Sequence, residues 1–447
     1  MPPRKSRSSS GRSKSRGADT KGKSQRKSGR GNDFTLHVSE MANGGYALGR
    51  HAGRTVLLPY AIPGEKVQAR IVRNEQRVDF AQGVQLLDAS ADRVYPECPH
   101  FGPGRCWGCQ WQHISYEAQC LLKYDVVADQ LQRFGKFSDK LLQDALKPVI
   151  PAPEQWFYNR QMRFMRMQDG SLGLPKIDGR NLEPIVICHV LHPDLQSLRD
   201  SLDIDFPEMR ALTLIDNDDG APMIILDMAQ EATPELSADL PMSVNIVLPD
   251  NEPVNLVGET SVRYRIGAQW LRVTAGAFFR ANVAQVGPLV DTVLTLAELK
   301  PDDAVLDLYA GVGLFSMFAA PHVDLVTAVE SYPPAATDAE VNLEALENVD
   351  IIEGAVEEAL TTFVDEEAGY DVALVDPPGR GLSRDALQHL VKLGIRRVVY
   401  VSSSPATLGR DGAALAAAGY RLRRVQPIDF APQTYYADMV ALFEKSH

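Results

Sequence analysis

No stretch of the 447 residues holds the roughly 18 consecutive apolar side chains that a membrane-spanning helix needs. No apolar segment follows the charged N-terminus, so a secretory signal is not expected. Cysteine is scarce: five residues, an odd number, cannot build a disulfide framework. The first 33 residues contain no aromatic side chain at all. These absences point to a cytoplasmic protein with reduced thiols and no membrane segment.

A surplus of basic charge is also missing. The net charge of −12 speaks against a polyanionic partner, but the average hides its distribution. Residues 1–33 carry a net +9, and the other 414 residues carry −21. The tail is rich in Ser and Gly and has too little apolar surface to offset its ordering entropy, so it is expected to be disordered. A basic tail on an acidic body is a candidate nucleic-acid arm that touches phosphates without reading sequence. A solubilising terminus is the plainer alternative.

The length suggests about two to four domains. Residues 34–88 read as short strands: Phe34 to Val38, the Gly-rich Gly44 to Arg50, Arg54 to Pro59 and Val67 to Val72, with a turn at Pro63-Gly64-Glu65. That density of strands predicts a small barrel. Residues 90–200 hold every cysteine, and apolar spacing predicts a helix from about Tyr116 to Phe134 with Leu121, Val126, Val127 and Leu131 inward. From about 285 the chain alternates strand and helix. Ala304 to Tyr309, Leu325 to Glu330, Val372 to Asp376 and Arg397 to Val401 read as buried strands. This pattern predicts a parallel, doubly wound α/β sheet. The expected organisation is a tail (1–33), a barrel (34–89), a central α+β region (90–284) and a nucleotide-binding-like domain (285–447).

Cys98, Cys106 and Cys109 fall within ECPHFGPGRCWGCQ, a C-x2-C pair with a third thiol eight residues earlier. Gly- and Pro-rich loops let such thiolates converge, and Cys188 is the best fourth ligand. Four thiolates suit either a structural zinc or an iron–sulfur cluster, and spacing does not choose between them. Cys120, on the predicted helix, reads as a small buried hydrophobe. His100 and His113 are candidate second-sphere donors, with packing roles the simpler reading.

Val305 to Phe315 runs a strand into a Gly turn before a helix. Tyr309, Gly311 and Gly313 shape that turn, and the glycines let a ligand approach the backbone. Glu330 ends the next strand about twenty residues on, where a carboxylate suits two ribose hydroxyls. The pattern D-x-Y-x-G-x-G favours S-adenosylmethionine over a dinucleotide. Asp376-Pro377-Pro378 and Ser402-Ser403-Ser404-Pro405 sit at later strand ends, where ligands of open α/β sheets bind.

These motifs, spanning about 34 to 447, resemble the RNA 5-methyluridine methyltransferases, the uracil-C5 enzymes of tRNA and ribosomal RNA. The resemblance implies an OB-like TRAM barrel, a Rossmann-like class I methyltransferase domain, S-adenosylmethionine as cofactor and RNA as partner. It implies a [4Fe-4S] cluster on Cys98, Cys106, Cys109 and Cys188. Tyr309, Gly311, Gly313, Glu330 and Asp376 match its cofactor motifs. The departures fall in the active site. The nucleophilic Cys aligns with Ser403 and the next Asn with Ser404. The general-base Glu aligns with Asp438, the Gln of FFQ-x-N with Arg280, and the Arg of DPPR with Gly379.

That family adds a cysteine thiolate to uracil C6, which makes C5 able to take the methyl group. A thiol is partly ionised at neutral pH, whereas a serine hydroxyl needs an adjacent base. Cys188 is the last cysteine, so no neighbouring thiol can replace the lost one. Three readings follow. The protein is a methyltransferase using Ser403 and Asp438, slowly or on another atom. Or it is a catalytically silent paralogue that keeps RNA binding. Or it is an interaction scaffold.

Overall fold

The computed structural model describes residues 33–203, 206–229, 241–248 and 253–446. The basic segment expected to be disordered lies outside the described residues, apart from Asp33.

Five strands close a barrel: β1 (Phe34–Met41), β2 (Ala47–His51), β3 (Arg54–Leu58), β4 (Lys66–Asn74) and β5 (Val78–Asp88). Their order is β1-β2-β3-β5-β4, with β4 returning to β1, so no edge is left open. Alternating Leu36, Val38, Val56, Leu58, Val67 and Ala69 fill the interior. The buried Glu65 fixes the predicted turn by accepting from Ile62 N at 2.9 Å and pairing with Arg93 at 2.6 Å. Trp111 and Ile114, from the cysteine region, complete the same core.

Helix α1 (Tyr116–Gly135) begins one turn later, followed by α2 (Asp139–Ala145). Val126, Val127 and Leu131 are buried as the spacing predicts. Two expectations fail here. Leu121 is 68% exposed, and Cys120 is only half-buried rather than a core residue. The reason is that α1 turns Gln119 and Lys123 inward instead, toward polar partners far along the chain. His100 and His113 are both buried.

The central region continues with β6 (Gln161–Arg166), β7 (Leu172–Pro175), β8 (Leu182–Pro184), α3 (Pro193–Ser201), β9 (Met209–Ile215), β10 (Met223–Met228), β11 (Ser243–Val247) and β12 (Pro253–Val257). They form a sheet in the order β12-β11-β10-β9-β6-β7-β8. A hairpin, β13 (Ser261–Ile266) and β14 (Gln269–Thr274), leads to α4 (Val286–Ala297).

The C-terminal sheet comprises β15 (Ala304–Leu308), α5 (Leu314–Ala319), β16 (Leu325–Glu330), α6 (Pro333–Leu343), β17 (Val349–Glu353), α7 (Val356–Asp365), β18 (Val372–Val375), α8 (Arg384–Leu393), β19 (Arg397–Ser402), α9 (Pro405–Ala417), β20 (Tyr420–Ile428) and β21 (Asp438–Lys445). The order is β17-β16-β15-β18-β19-β21-β20, parallel up to β19, with β21 and β20 antiparallel. All four predicted strands fall where expected.

Helices cover both faces. The hairpin, α4, α5 and α6 bury one face, and one core cluster runs from Ile215 through Val293 to Leu442. On the other face α7, α8 and α9 are joined by α1 and α2. Helix α1 therefore packs on the C-terminal sheet although it follows the cysteine loop in sequence. Gly409 of α9 permits this: a Cβ there would stand 3.0 Å from Gly135 N of α1.

Gly49 in β2 is packed more tightly still. A Cβ would run into the His37 carbonyl oxygen and the Leu36 side chain of β1. Gly49→Ala is expected to cost about 1–3 kcal/mol through overpacking. Urea denaturation and faster hydrogen exchange in the barrel strands would register it.

Candidate functional site

The site forms where the parallel strands end. After β15 the chain alternates into left-handed backbone, with φ of 62° at Tyr309, 57° at Gly311 and 82° at Gly313. The two glycines serve different ends. A Cβ on Gly313 would meet Leu343 Cδ1 at 2.8 Å, so Gly313 allows α5 and α6 to pack. A Cβ on Gly311 would meet nothing within 4 Å, so this backbone faces open space.

Glu330 ties the turn together. Its Oε2 accepts from Gly311 N at 2.9 Å and its Oε1 from Tyr332 N at 2.7 Å. Asp307, at the fourth position of β15, is fully buried. Its Oδ2 accepts from Ser316 N at 3.1 Å and Ser316 Oγ at 2.6 Å, while Oδ1 has no partner. Burial, with Asp376 and Glu330 adding, pushes its pKa up to about 7. Sequence reasoning carried Asp307 only as part of a motif and gave it no role.

The second half of the site comes from three other segments. Asp376 follows β18, Ser403 follows β19, and Asp438 opens β21. Arg280 lies between β14 and α4 and reaches two of them. Its Nη2 donates to Asp376 Oδ1 at 3.0 Å and Oδ2 at 2.9 Å. Its Nε stands 3.6 Å from Asp438 Oδ2. Phe278 and Phe430 flank the guanidinium, with ring centres at 5.8 and 5.6 Å. Burial pushes Asp438 up to about 6, which Arg280 opposes and Asp376 reinforces.

Ser403 is exposed, and its hydroxyl makes no hydrogen bond to a described residue. The serines beside it are committed elsewhere: Ser402 Oγ bonds Ser404, and Ser404 caps α9. Gly379 leaves space against Ser403, whose Oγ would be 3.7 Å from a Cβ there. The loop holding Gly379 is pinned by buried Asp411, which accepts from Leu382 N at 2.9 Å and Tyr400 OH at 2.7 Å.

Arg280, Ser403 and Asp438 line one cavity of about 640 Å³. The same cavity is lined by Cys98, Cys106, Cys109 and Cys188. Burial pushes the Cys106 thiol up to about 11 and raises Cys109 and Cys188, with the neighbouring thiols adding. Among the described residues no group of three His, Cys, Asp or Glu is close enough to hold a metal ion.

Sequence reasoning also missed the segment that delivers Asp438. Residues 429–437 are held by Lys123, Gln119, Asn282 and Gln285. The available signal was Gln119 and Lys123, four apart, on the same helical face as Val126.

The raised Asp307 pKa has a stability consequence. Between about pH 4 and 7 the folded carboxyl keeps a proton that the unfolded chain has lost, so folding stability falls as pH rises. Asp307→Asn is expected to flatten that slope. Denaturant unfolding at pH 5 and pH 8, in both proteins, measures it.

The chain matches the tRNA (Uracil-5-)-methyltransferase family over residues 261–446. It is 33% identical to an RNA methyltransferase of Streptomyces avermitilis, over 93% of this chain and 98% of that protein. It is 32% identical to the 23S rRNA (uracil(1939)-C(5))-methyltransferase RlmD of Edwardsiella ictaluri, over 90% of this chain and 93% of that one. The tRNA (uracil-54, C5)-methyltransferase of Pyrococcus abyssi, solved with S-adenosyl-L-homocysteine, shares its fold. That likeness has a TM-score of 0.69 at 21% identity, over 91% of this chain and all of that one. A site built on the strand ends of a class I methyltransferase sheet, together with relatives matched along nearly their whole length, shows that the chain belongs to the uracil-C5 RNA methyltransferase family.

Proposed function

We propose that the chain is an S-adenosylmethionine-dependent RNA methyltransferase that draws one nucleotide of ribosomal or transfer RNA into its cavity, without covalent attachment through Ser403. One observation carries this reading. Arg280, Ser403 and Asp438 come from three separate segments to line a single cavity of about 640 Å³. A base within a duplex cannot reach such a pocket, so it must leave the stack first.

The residues present fit the cofactor. Gly311 offers open backbone, and the buried Asp307 Oδ1 has no partner. Asp307, Glu330 and Asp376 interact electrostatically, and Arg280 neutralises only one of them. That acidic excess suits a cofactor with sulfonium and ammonium charges. Tyr309, Gly311, Gly313, Glu330, Asp376 and Arg280 are the residues proposed to hold it. Glu330 keeps free lone pairs for ribose hydroxyls. When bound, the cofactor supplies an electrophilic methyl group.

Asp438 is proposed as the proton acceptor. Its pKa of about 6 leaves it ionised at neutral pH, close enough to accept a proton. Ser403 is different. Addition to uracil C6 needs an ionised nucleophile, and no described base bonds its hydroxyl. Asp438 is engaged with Arg280 instead. The second reading, a silent paralogue that binds RNA, draws on the same pair of facts. In it, Arg280 closes Asp376 and Asp438 to chemistry.

The barrel is proposed as a TRAM-type RNA platform. Tyr46, Tyr60, Phe80 and Arg73 line a groove of about 620 Å³, and the Arg73 guanidinium lies 3.9 Å over the Phe80 ring. Aromatic faces stack bases and guanidinium groups meet phosphates. Cys98, Cys106, Cys109 and Cys188 are proposed to hold a [4Fe-4S] cluster. Four thiolates are the usual ligands of such a cluster. All four thiols line one cavity, which is what supports this reading.

Three measurements test this. Wild-type protein mixed with 5-fluorouridine-containing RNA and cofactor is expected to form no denaturation-stable adduct, while Ser403→Cys forms one. S-adenosylhomocysteine release, with RNA present, separates the methyltransferase from the silent paralogue. A wild-type adduct would overturn the non-covalent route. Anaerobically prepared protein is expected to carry iron and acid-labile sulfide, with brown absorbance, and Cys188→Ser to lose them.

A further inference from the structure

Segment 429–437 connects β20 to β21 without regular structure, and Gln433 within it takes a φ of 69°. No strand ladder fixes its path, so its shape depends on groups from elsewhere. Most of them come from the cysteine-bearing region. Lys123 Nζ donates to Asp429 Oδ1 at 2.6 Å and to the Ala431 carbonyl at 3.0 Å. Both side chains of that ion pair are fully buried. Asp429 Oδ1 also accepts from Ala431 N at 3.0 Å.

One helical turn earlier, Gln119 bonds Gln433 twice: Gln119 Nε2 donates to Gln433 Oε1, and Gln433 N donates to Gln119 Oε1, each at 2.9 Å. Gln110 N and Trp111 N both donate to the Gln433 carbonyl, at 3.1 and 3.0 Å. The segment ends at Asp438, on the cavity wall.

A buried ion pair is poor evidence for stability alone, because apolar residues of similar volume often serve as well. We infer that Lys123 is a positioning residue for Asp438: by gripping Asp429 and Ala431 it sets the path of 429–437 and so places the Asp438 carboxylate beside Arg280. The inference rests on the reading of Asp438 as proton acceptor.

The charges agree with the geometry. The groups acting on Asp438 are Arg280, Asp376 and Lys123. Tyr116 and Cys120 face Asp429 from the same helix. Lys123 and Arg280 favour the Asp438 carboxylate, and burial and Asp376 oppose it. Loss of the Lys123 charge therefore moves Asp438 further toward its protonated form.

The test uses full-length protein with carbon-13-labelled aspartate carboxyls, the Asp438 signal being assigned through Asp438→Asn. Lys123→Met is expected to raise the Asp438 titration midpoint and to speed amide exchange across 429–438 at least tenfold. Lys123→Arg is expected to restore both. Leu131→Ala, a core truncation on the same helix, is expected to move neither. An unchanged midpoint and exchange in Lys123→Met, or equal shifts in Leu131→Ala, would overturn the inference. Should Lys123→Met not fold, the paired Lys123→Met/Asp429→Leu variant removes both charges and both ties to Ala431. Fast exchange at 429–438 there supports the inference, and wild-type exchange overturns it. No RNA or cofactor is needed, so these outcomes stand apart from turnover. Full methyl transfer by Asp438→Asn would instead remove the reading of Asp438 as base.

Discussion

The 2.6 Å contact between Lys123 and Asp429 is the point on which the rest of the site depends. It joins a helix that follows the cysteine loop to a connection more than three hundred residues later. Neither charge has water to fall back on, since both side chains are fully buried. Each holds the other in place, because an unpaired buried charge costs several kcal/mol. The consequence is geometric. The barrel core, Trp111, helix α1 and the Asp438 segment become one connected body.

The cavity inherits its composition from that connection. Four thiols form part of its lining and the strand-end residues another part. Without α1 packed against α9, the cysteine loop and the strand ends would not share a wall. The close approach uses Gly409, whose missing side chain brings the two helices together.

Electrostatics at the strand ends follow a second constraint. Asp307, Glu330 and Asp376 crowd one edge of the sheet, with Arg280 on Asp376. Burial, with this crowding adding, raises Asp307, and the group keeps an acidic excess that suits a cationic ligand. Arg280 bridges the two halves of the site. A neutral amide at its position would bring no positive charge to either carboxylate, whereas the buried guanidinium bonds Asp376 and stands 3.6 Å from Asp438.

Much of this was legible in the chain. The strands at Ala304, Leu325, Val372 and Arg397 announced themselves as apolar runs, because a parallel sheet covered on both faces must be apolar throughout. The barrel showed through its alternation. The turn at Gly311 and Gly313 showed through residues that alone take left-handed backbone cheaply. Leu121 and Cys120 were misjudged because apolar spacing alone cannot reveal a helix that buries Gln119 and Lys123. Their partners, Gln433 and Asp429, carry no local signal at all.

The sequence by itself determined the chemistry that is absent: no cysteine follows Cys188, so the C-terminal sheet has no thiol to offer. Local pattern also placed Asp376 and Ser403 at strand ends, whereas Asp438 came only through the family resemblance, since no strand was expected where it opens β21. Tertiary structure alone decided what those residues face. Arg280 meets Asp376 and Asp438 across ninety-six and more positions, and the Ser403 hydroxyl bonds no base among the described residues. Local pattern is fixed by neighbours in sequence, whereas charge pairing is fixed by neighbours in space, which only the folded chain supplies.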